Sequence, residues 1–131
     1  MVKFLEVKII SINEFSETPI YIQIRDQIVL GISDGRISPG EQLPTVRNLA
    51  TEIGINTMTV SKAYQLLKQE GYVVTDRRSG ARVSNDFQKS NGIGKENELT
   101  LRRIASEAKI KGMTEQEFLN ICIKAYEGEK I

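Results

Sequence analysis

Two amphipathic stretches separated only by Ile53-Gly54-Ile55 limit what this 131-residue chain can fold into. A link that short, with glycine at its centre, lets one helix turn sharply into the next and leaves no room for a strand. Upstream, Leu43-Pro44-Thr45 opens a short helix that Thr45 caps, with Val46, Leu49, Ala50 and Ile53 on its buried side. Downstream, Asn56 or Thr57 starts a helix that runs to Glu70 before Gly71, with Val60, Ala63, Tyr64 and Leu67 on one face. The pair predicts a helix-turn-helix.

The flanking segments complete a winged version of that motif. Ile20, Ile24, Ile28 and Ile32 recur every four residues, joined by Tyr21 and Gly31, which predicts a preceding helix of three to four turns. Thr18 is expected as its N-cap, with Pro19 at the first helical position, and Asp34-Gly35 as its stop. Ser38-Pro39-Gly40 reads as a tight turn, and Ile9-Ile10-Ser11-Ile12 as a short strand. After Gly71, Tyr72-Val73-Val74-Thr75 and Ala81-Arg82-Val83 flank the polar turn Asp76-Arg77-Arg78-Ser79-Gly80, which predicts a hairpin.

Residues 10–83 are therefore expected to form the winged helix-turn-helix, 84–97 a polar linker, and 98–128 a two-helix tail. Leu101, Ile104, Ala105 and Ala108 mark the first tail helix, which ends near Gly112. Thr114-Glu115-Gln116-Glu117 is a capping box that opens the second. The expected fold class is mainly α with a small β-wing.

Composition removes several chemistries. The chain has no His and a single Cys, Cys122, so imidazole catalysis, an internal disulfide and a His- or Cys-based metal site are excluded. No cofactor is expected. Glu115 and Glu117 are two positions apart on a helix and point away from each other, which makes a carboxylate-pair enzyme a poor reading. The N-terminus is interrupted by charge and no apolar run approaches a membrane span, so a cytoplasmic location without membrane contact is expected. The formal charge is only +1, but it is unevenly placed. Residues 1–44 carry four basic and six acidic groups, 45–83 six and three, and 84–131 eight of each. The positive excess sits in the helix-turn-helix and wing.

Opposite its buried stripe, the third helix presents Thr57, Met58, Ser61, Lys62, Gln65 and Lys68, with no acid before Glu70. Hydroxyl, amide and ammonium groups bond phosphates and base edges, and Met58 suits a thymine methyl. Thr45 and Arg47 stand at a helix N-terminus, where free N–H groups face a phosphate and Arg47 can reach a phosphate or a guanine edge. Arg77, Arg78 and Arg82 cluster around Gly80, which suits a basic tip on the backbone or in a minor groove. Each has a plainer alternative: a solvated helix face, Arg47 paired with Glu41 or Glu52, and a turn neutralised in part by Asp76.

The residues also resemble a known family. Pro19-Ile20-Tyr21-Ile22-Gln23-Ile24, Gly35-Arg36-Ile37-Ser38-Pro39-Gly40-Glu41-Gln42-Leu43-Pro44-Thr45-Val46-Arg47-Asn48-Leu49-Ala50, Ile55-Asn56-Thr57-Met58-Thr59-Val60-Ser61-Lys62-Ala63-Tyr64 and Leu67-Lys68-Gln69-Glu70-Gly71-Tyr72 are similar to the signature of GntR-type bacterial transcription regulators. The resemblance implies that Arg47 reads a base or phosphate, that Asn56, Thr57, Thr59 and Ser61 contact DNA, and that Gly80 lies in the wing loop. Three departures stand out. Thr57 and Ser61 occupy positions where relatives often carry Arg, Arg78 replaces the first wing glycine, and Ala81-Arg82 replaces a usual Thr-Phe. They imply an operator different from a typical relative's.

Only 48 residues follow Val83, too few for a metabolite-binding or aminotransferase-like domain. The short helical tail resembles the YtrA subfamily, in which such a tail dimerises and members commonly repress transporter operons. The residues agree independently. Phe118, Leu119, Ile121, Cys122, Ile123, Ala125 and Tyr126 make the last helix apolar nearly all round, more than one neighbouring helix can cover. A symmetric dimer interface of Leu101, Ile104, Ala105, Ala108, Phe118, Leu119, Cys122, Ile123 and Tyr126 is expected. Packing of that helix onto the winged helix of its own chain is the alternative. The expected partner is a palindromic double-stranded DNA operator bound by a homodimeric repressor, and an effector site is not legible. The competing reading is a winged helix serving protein assembly without specific DNA binding.

Overall fold

The computed structural model describes residues 10–78, 80–87 and 92–128, and the chain divides after Phe87 into two units. The expectations that fall on Ile9, on Ser79 and on linker residues 88–91 lie outside the described residues.

The first unit holds three helices and a hairpin: α1 (Ile20–Ser33), α2 (Val46–Ile53), α3 (Thr57–Gln69), β1 (Val73–Asp76) and β2 (Gly80–Val83). The four-residue spacing on α1 puts Ile24 and Ile28 in the core, with Ile20, Ile32 and Tyr21 packed at its edge. They meet Leu49 and Ala50 of α2 and Val60, Ala63, Tyr64 and Leu67 of α3. Val73 and Val83, paired across the antiparallel hairpin, close the core from the wing side. Alternation then turns Val74 and Arg82, the next pair, to the opposite face.

The sharp link is built as its residues demand. Gly54 ends α2 in the left-handed region at φ 70°, where a side chain is strained, and Asn56 starts α3 two residues later by accepting from the Met58 N–H. Thr45 caps α2 by accepting from the Asn48 N–H.

Two local expectations need correcting. Helix α1 begins at Ile20 with Pro19, not Thr18, as its N-cap. The Pro19 carbonyl accepts from Ile22 and Gln23, while the Thr18 carbonyl is taken by the Gln23 side chain. Residues 10–12 form no strand. The backbone of Ser11 and of the adjoining Asn13 pairs instead with two glutamine amides one turn apart on α1. Gln27 accepts from Ser11 N–H and donates to its carbonyl, and Gln23 does the same for Asn13. The wing also gains an unforeseen partner: residues 40–43 run beside β2, with a bridge between Gln42 and Arg82 and a bond from Leu43 N–H to the Ala81 carbonyl.

The second unit contains α4 (Lys95–Ile110) and α5 (Glu115–Glu127). The expected capping box is present: the Thr114 hydroxyl accepts from Glu117 N–H and the Glu117 carboxylate accepts from Thr114 N–H. The polar segment expected over 84–97 is narrower at both ends. Ser84 is buried and donates its N–H to the Tyr72 carbonyl, Phe87 lies against the Tyr72 ring, and Lys95 already begins α4.

Candidate nucleic-acid interface

Helix α3 is held from behind so that one face stays free. Its buried stripe of Val60, Ala63, Tyr64 and Leu67 sets the rotation, and the outward face carries Thr57, Met58, Gln65 and Lys68, all exposed. Met58 is 78% exposed. Ser61 and Thr59 are half-buried on the two flanks. Asn56 lies at the helix start, with its side-chain oxygen committed to capping.

The electrostatics of this helix are set by α1. Glu70, the only acid at the end of α3, is held by a bidentate pair with Arg25, Nε to Oε1 and a terminal nitrogen to Oε2, both 2.7 Å. The pair, with Asp26 as a second partner, raises the Arg25 pKa well above its ordinary value. One turn earlier on α1, Tyr21 lies under the Lys62 ammonium, which sits 4.1 Å from the ring centroid. The outward face of α3 is thus free of carboxylate and one of its cations is held in place.

The start of α2 is fixed against α3 by a buried bond, Tyr64 Oη donating to the Pro44 carbonyl at 2.7 Å. Burial, with the Glu52 charge adding to it, pushes the Tyr64 phenol well above its usual pKa. Thr45 lies beside the α3 face, and both Thr45 and Arg47 are exposed. The proposed competitors for Arg47 do not claim it: among the described residues it forms no ion pair, and Glu41 instead accepts from Ser38 N–H.

In the wing, Arg77 and Arg78 are exposed at the tip, and the exposed Asp76 carboxylate accepts from Arg78 N–H. Gly80 pairs with Asp76 to close the loop at φ 69°. Arg82 is not a tip residue. It lies half-buried along β2, between Val74 and Gln42. Between α3, the start of α2 and the wing runs a groove of about 350 Å³, rimmed by Thr45, Ser61, Gln65, Lys68 and Thr75 over an apolar floor that includes Leu43 and Pro44. Of the sequence-predicted residues, the groove brings together Thr45, Ser61, Gln65, Lys68 and Gly80, while Arg82 lies apart from its lining.

In the second unit, Ala105, Ala108, Phe118 and Cys122 are half-buried. Leu101, Ile104, Leu119 and Ile123 are exposed and Tyr126 is 94% exposed, so most of the expected interface residues stand uncovered in a single chain. Cys122 is a free cysteine. Among the described residues no helix is long and apolar enough to cross a membrane, and no group of acidic or sulfur ligands could hold a metal.

Sequence reasoning missed Tyr21 and Arg25 as partners of α3. The signal was available only in part: both lie on the flank of the Ile20–Ile24–Ile28 stripe, but their partners are about 40 residues away and no local spacing reveals them.

A three-helix unit with a sharp α2–α3 turn, a two-stranded wing and an acid-free outward helix defines a winged helix-turn-helix of the regulatory class. The family described as "Bacterial regulatory proteins, gntR family" matches residues 20–83, and the chain belongs to this family. It is 43% identical over 86 residues to the HTH-type transcriptional repressor YtrA of Bacillus subtilis (strain 168), covering 66% of each chain. It is 31% identical over 111 residues to the HTH-type transcriptional regulator YhcF of the same organism, covering 82% of this chain and 90% of YhcF. The aligned stretch covers less of other regulators, for example 21% of the pyridoxine biosynthesis regulator PdxR of Corynebacterium glutamicum. Its fold is similar to that of the AraR DNA-binding domain solved in complex with operator ORX1, at TM-score 0.50 and 26% identity, over 63% of this chain and 96% of that one. These relatives are named as transcriptional regulators.

Proposed function

We propose that this chain is a sequence-specific DNA-binding repressor that acts in the cytoplasm as a homodimer on a palindromic operator. The observation that carries the reading is the single surface on which α3, the α2 N-terminus and the wing tip meet with no free carboxylate. Gln65, Met58, Thr57 and Ser61 would meet base edges in the major groove, with Asn56 and Thr59 at its margin. Arg47 would reach a guanine or a phosphate, with Thr45 and the α2 N-terminus on the backbone. Lys62 and Lys68 would neutralise phosphates, and Arg77 and Arg78, hinged at Gly80, would lie along the backbone or minor groove, with Arg82 behind them. The similarity to YtrA, named a repressor, and to an operator-bound domain supports the same reading. The YtrA-like tail extends it to control of a transporter operon.

The tail supplies the second half of the proposal. Leu101, Ile104, Leu119, Ile123 and Tyr126, exposed on two paired helices, are apolar surface that a second copy would cover, with Ala105, Ala108, Phe118 and Cys122 beneath. Two recognition helices would then enter successive major grooves about 34–36 Å apart.

Binding to duplex DNA measured across a salt series tests the reading. A chain that neutralises several phosphates loses affinity steeply as salt rises, with a log–log slope of about −0.9 per contact. A flat salt dependence, or no binding at low salt, would point to a winged helix used for protein assembly.

A further inference from the structure

We infer that Tyr21, on α1 and outside the helix-turn-helix, is a positioning residue for DNA binding, because its ring holds the Lys62 ammonium at the edge of the outward face of α3. The inference rests on the DNA-binding reading above. Its ground is the 4.1 Å separation between Lys62 Nζ and the Tyr21 ring centroid, well within cation–π range. Tyr21 is itself fixed: it is half-buried, belongs to the edge of the core and lies on a helix that is clamped to α3 at Arg25–Glu70. A lysine free in solvent samples many rotamers, and ordering it on binding costs affinity. A lysine already seated on a rigid ring has surrendered most of that freedom before DNA arrives.

The location makes the arrangement useful. Ser61, Gln65 and Lys68 border the groove toward the wing, whereas Lys62 lies on the opposite flank, toward α1. A major groove that admits α3 carries a phosphate strand along each flank. Lys68, Arg77 and Arg78 serve the wing-side strand, and Lys62 is the cation placed for the other. Its ammonium keeps N–H donors directed away from the ring, so one group can stack on Tyr21 and bond a phosphate together. The ring alone does the holding: no hydrogen bond of the Tyr21 hydroxyl takes part in the contact.

The test uses the full chain and a duplex that the wild type has selected from a random-sequence pool, with affinity read by fluorescence anisotropy over a salt series. Tyr21→Phe retains the ring and should bind within about twofold of wild type. Tyr21→Leu should bind about three- to tenfold more weakly, the scale of ordering one long side chain. Lys62→Met should bind more weakly with a salt slope smaller by about one contact. In the Lys62→Met background, Tyr21→Leu should cause no further loss. An equal loss in both backgrounds would mean that Tyr21 acts only through packing of α1, and would overturn the inference while leaving DNA binding intact. So would Tyr21→Leu binding as tightly as wild type. Failure of the wild type itself to bind any duplex would overturn the DNA-binding reading and this inference with it.

Discussion

Replacing Tyr64 by Phe removes one oxygen atom and isolates the bond that ties the two helices of the motif together. Tyr64 is 7% exposed, Pro44 is fully buried, and the hydroxyl donates to the Pro44 carbonyl at 2.7 Å. A net hydrogen bond is worth about 1 kcal/mol, and a buried carbonyl left without a donor adds a desolvation penalty, so the variant should lose about 1–2 kcal/mol. For a unit of this size each kcal/mol corresponds to about 4–8 °C, so the midpoint of the first unit should fall by about 4–16 °C. Urea unfolding of the full chain measures the same quantity, and the slope with denaturant should not change. pH provides an independent check. The Tyr64 phenol titrates above its ordinary value of 10.0 in the fold, so its neutral form contributes stability that is complete below about pH 10 and is lost as pH rises beyond it. Tyr64→Phe should lack that alkaline loss. A variant as stable as wild type, with the alkaline decline unchanged, would refute the claim that this bond fixes α2 on α3.

Other outcomes follow from the same geometry. Arg47→Ala should cost on the order of 1–3 kcal/mol of operator affinity if Arg47 reads a guanine, measured by titration at fixed salt; unchanged affinity would remove it from the contact set. Phe118→Glu should convert dimers to monomers in light scattering, and a persisting dimer would sink the interface. The capping box holds the Glu117 carboxyl below its ordinary 4.5, first through its bond to the Thr114 N–H. Its contribution to α5 is present above that pH and is lost as pH falls through the folded value, so helicity should decline on acidification. Glu117→Gln, which cannot ionise, should remove most of that decline, as read by circular dichroism.

How much of this was legible in the sequence depended on the range of the interactions. The buried stripes Ile24–Ile28 and Val60–Ala63–Tyr64–Leu67, the cap at Thr45, the glycine at 54 and the Thr114–Glu117 box are set within a few residues, and spacing reveals them. The misreadings share one cause, which is pairing across the chain. Residues 10–12 carry strand-like chemistry, yet Ser11 pairs with the side chain of Gln27, as the adjoining Asn13 does with Gln23. Arg82 read as a wing-tip cation because nothing local shows that residues 40–43 pair alongside β2. Nothing local to Glu70 shows that Arg25 of α1 pairs with it. The outward face of α3 was readable as a list of residues; what makes it a surface of one sign comes from the first helix.

The most direct test of the central claim is selection of duplex fragments from a random-sequence pool by the purified chain at near-physiological salt. The account predicts enrichment of an inverted repeat whose half-sites are centred about 10–10.5 bp apart or a multiple of that, one half-site for each recognition helix. A pool that emerges with no enriched sequence would contradict it.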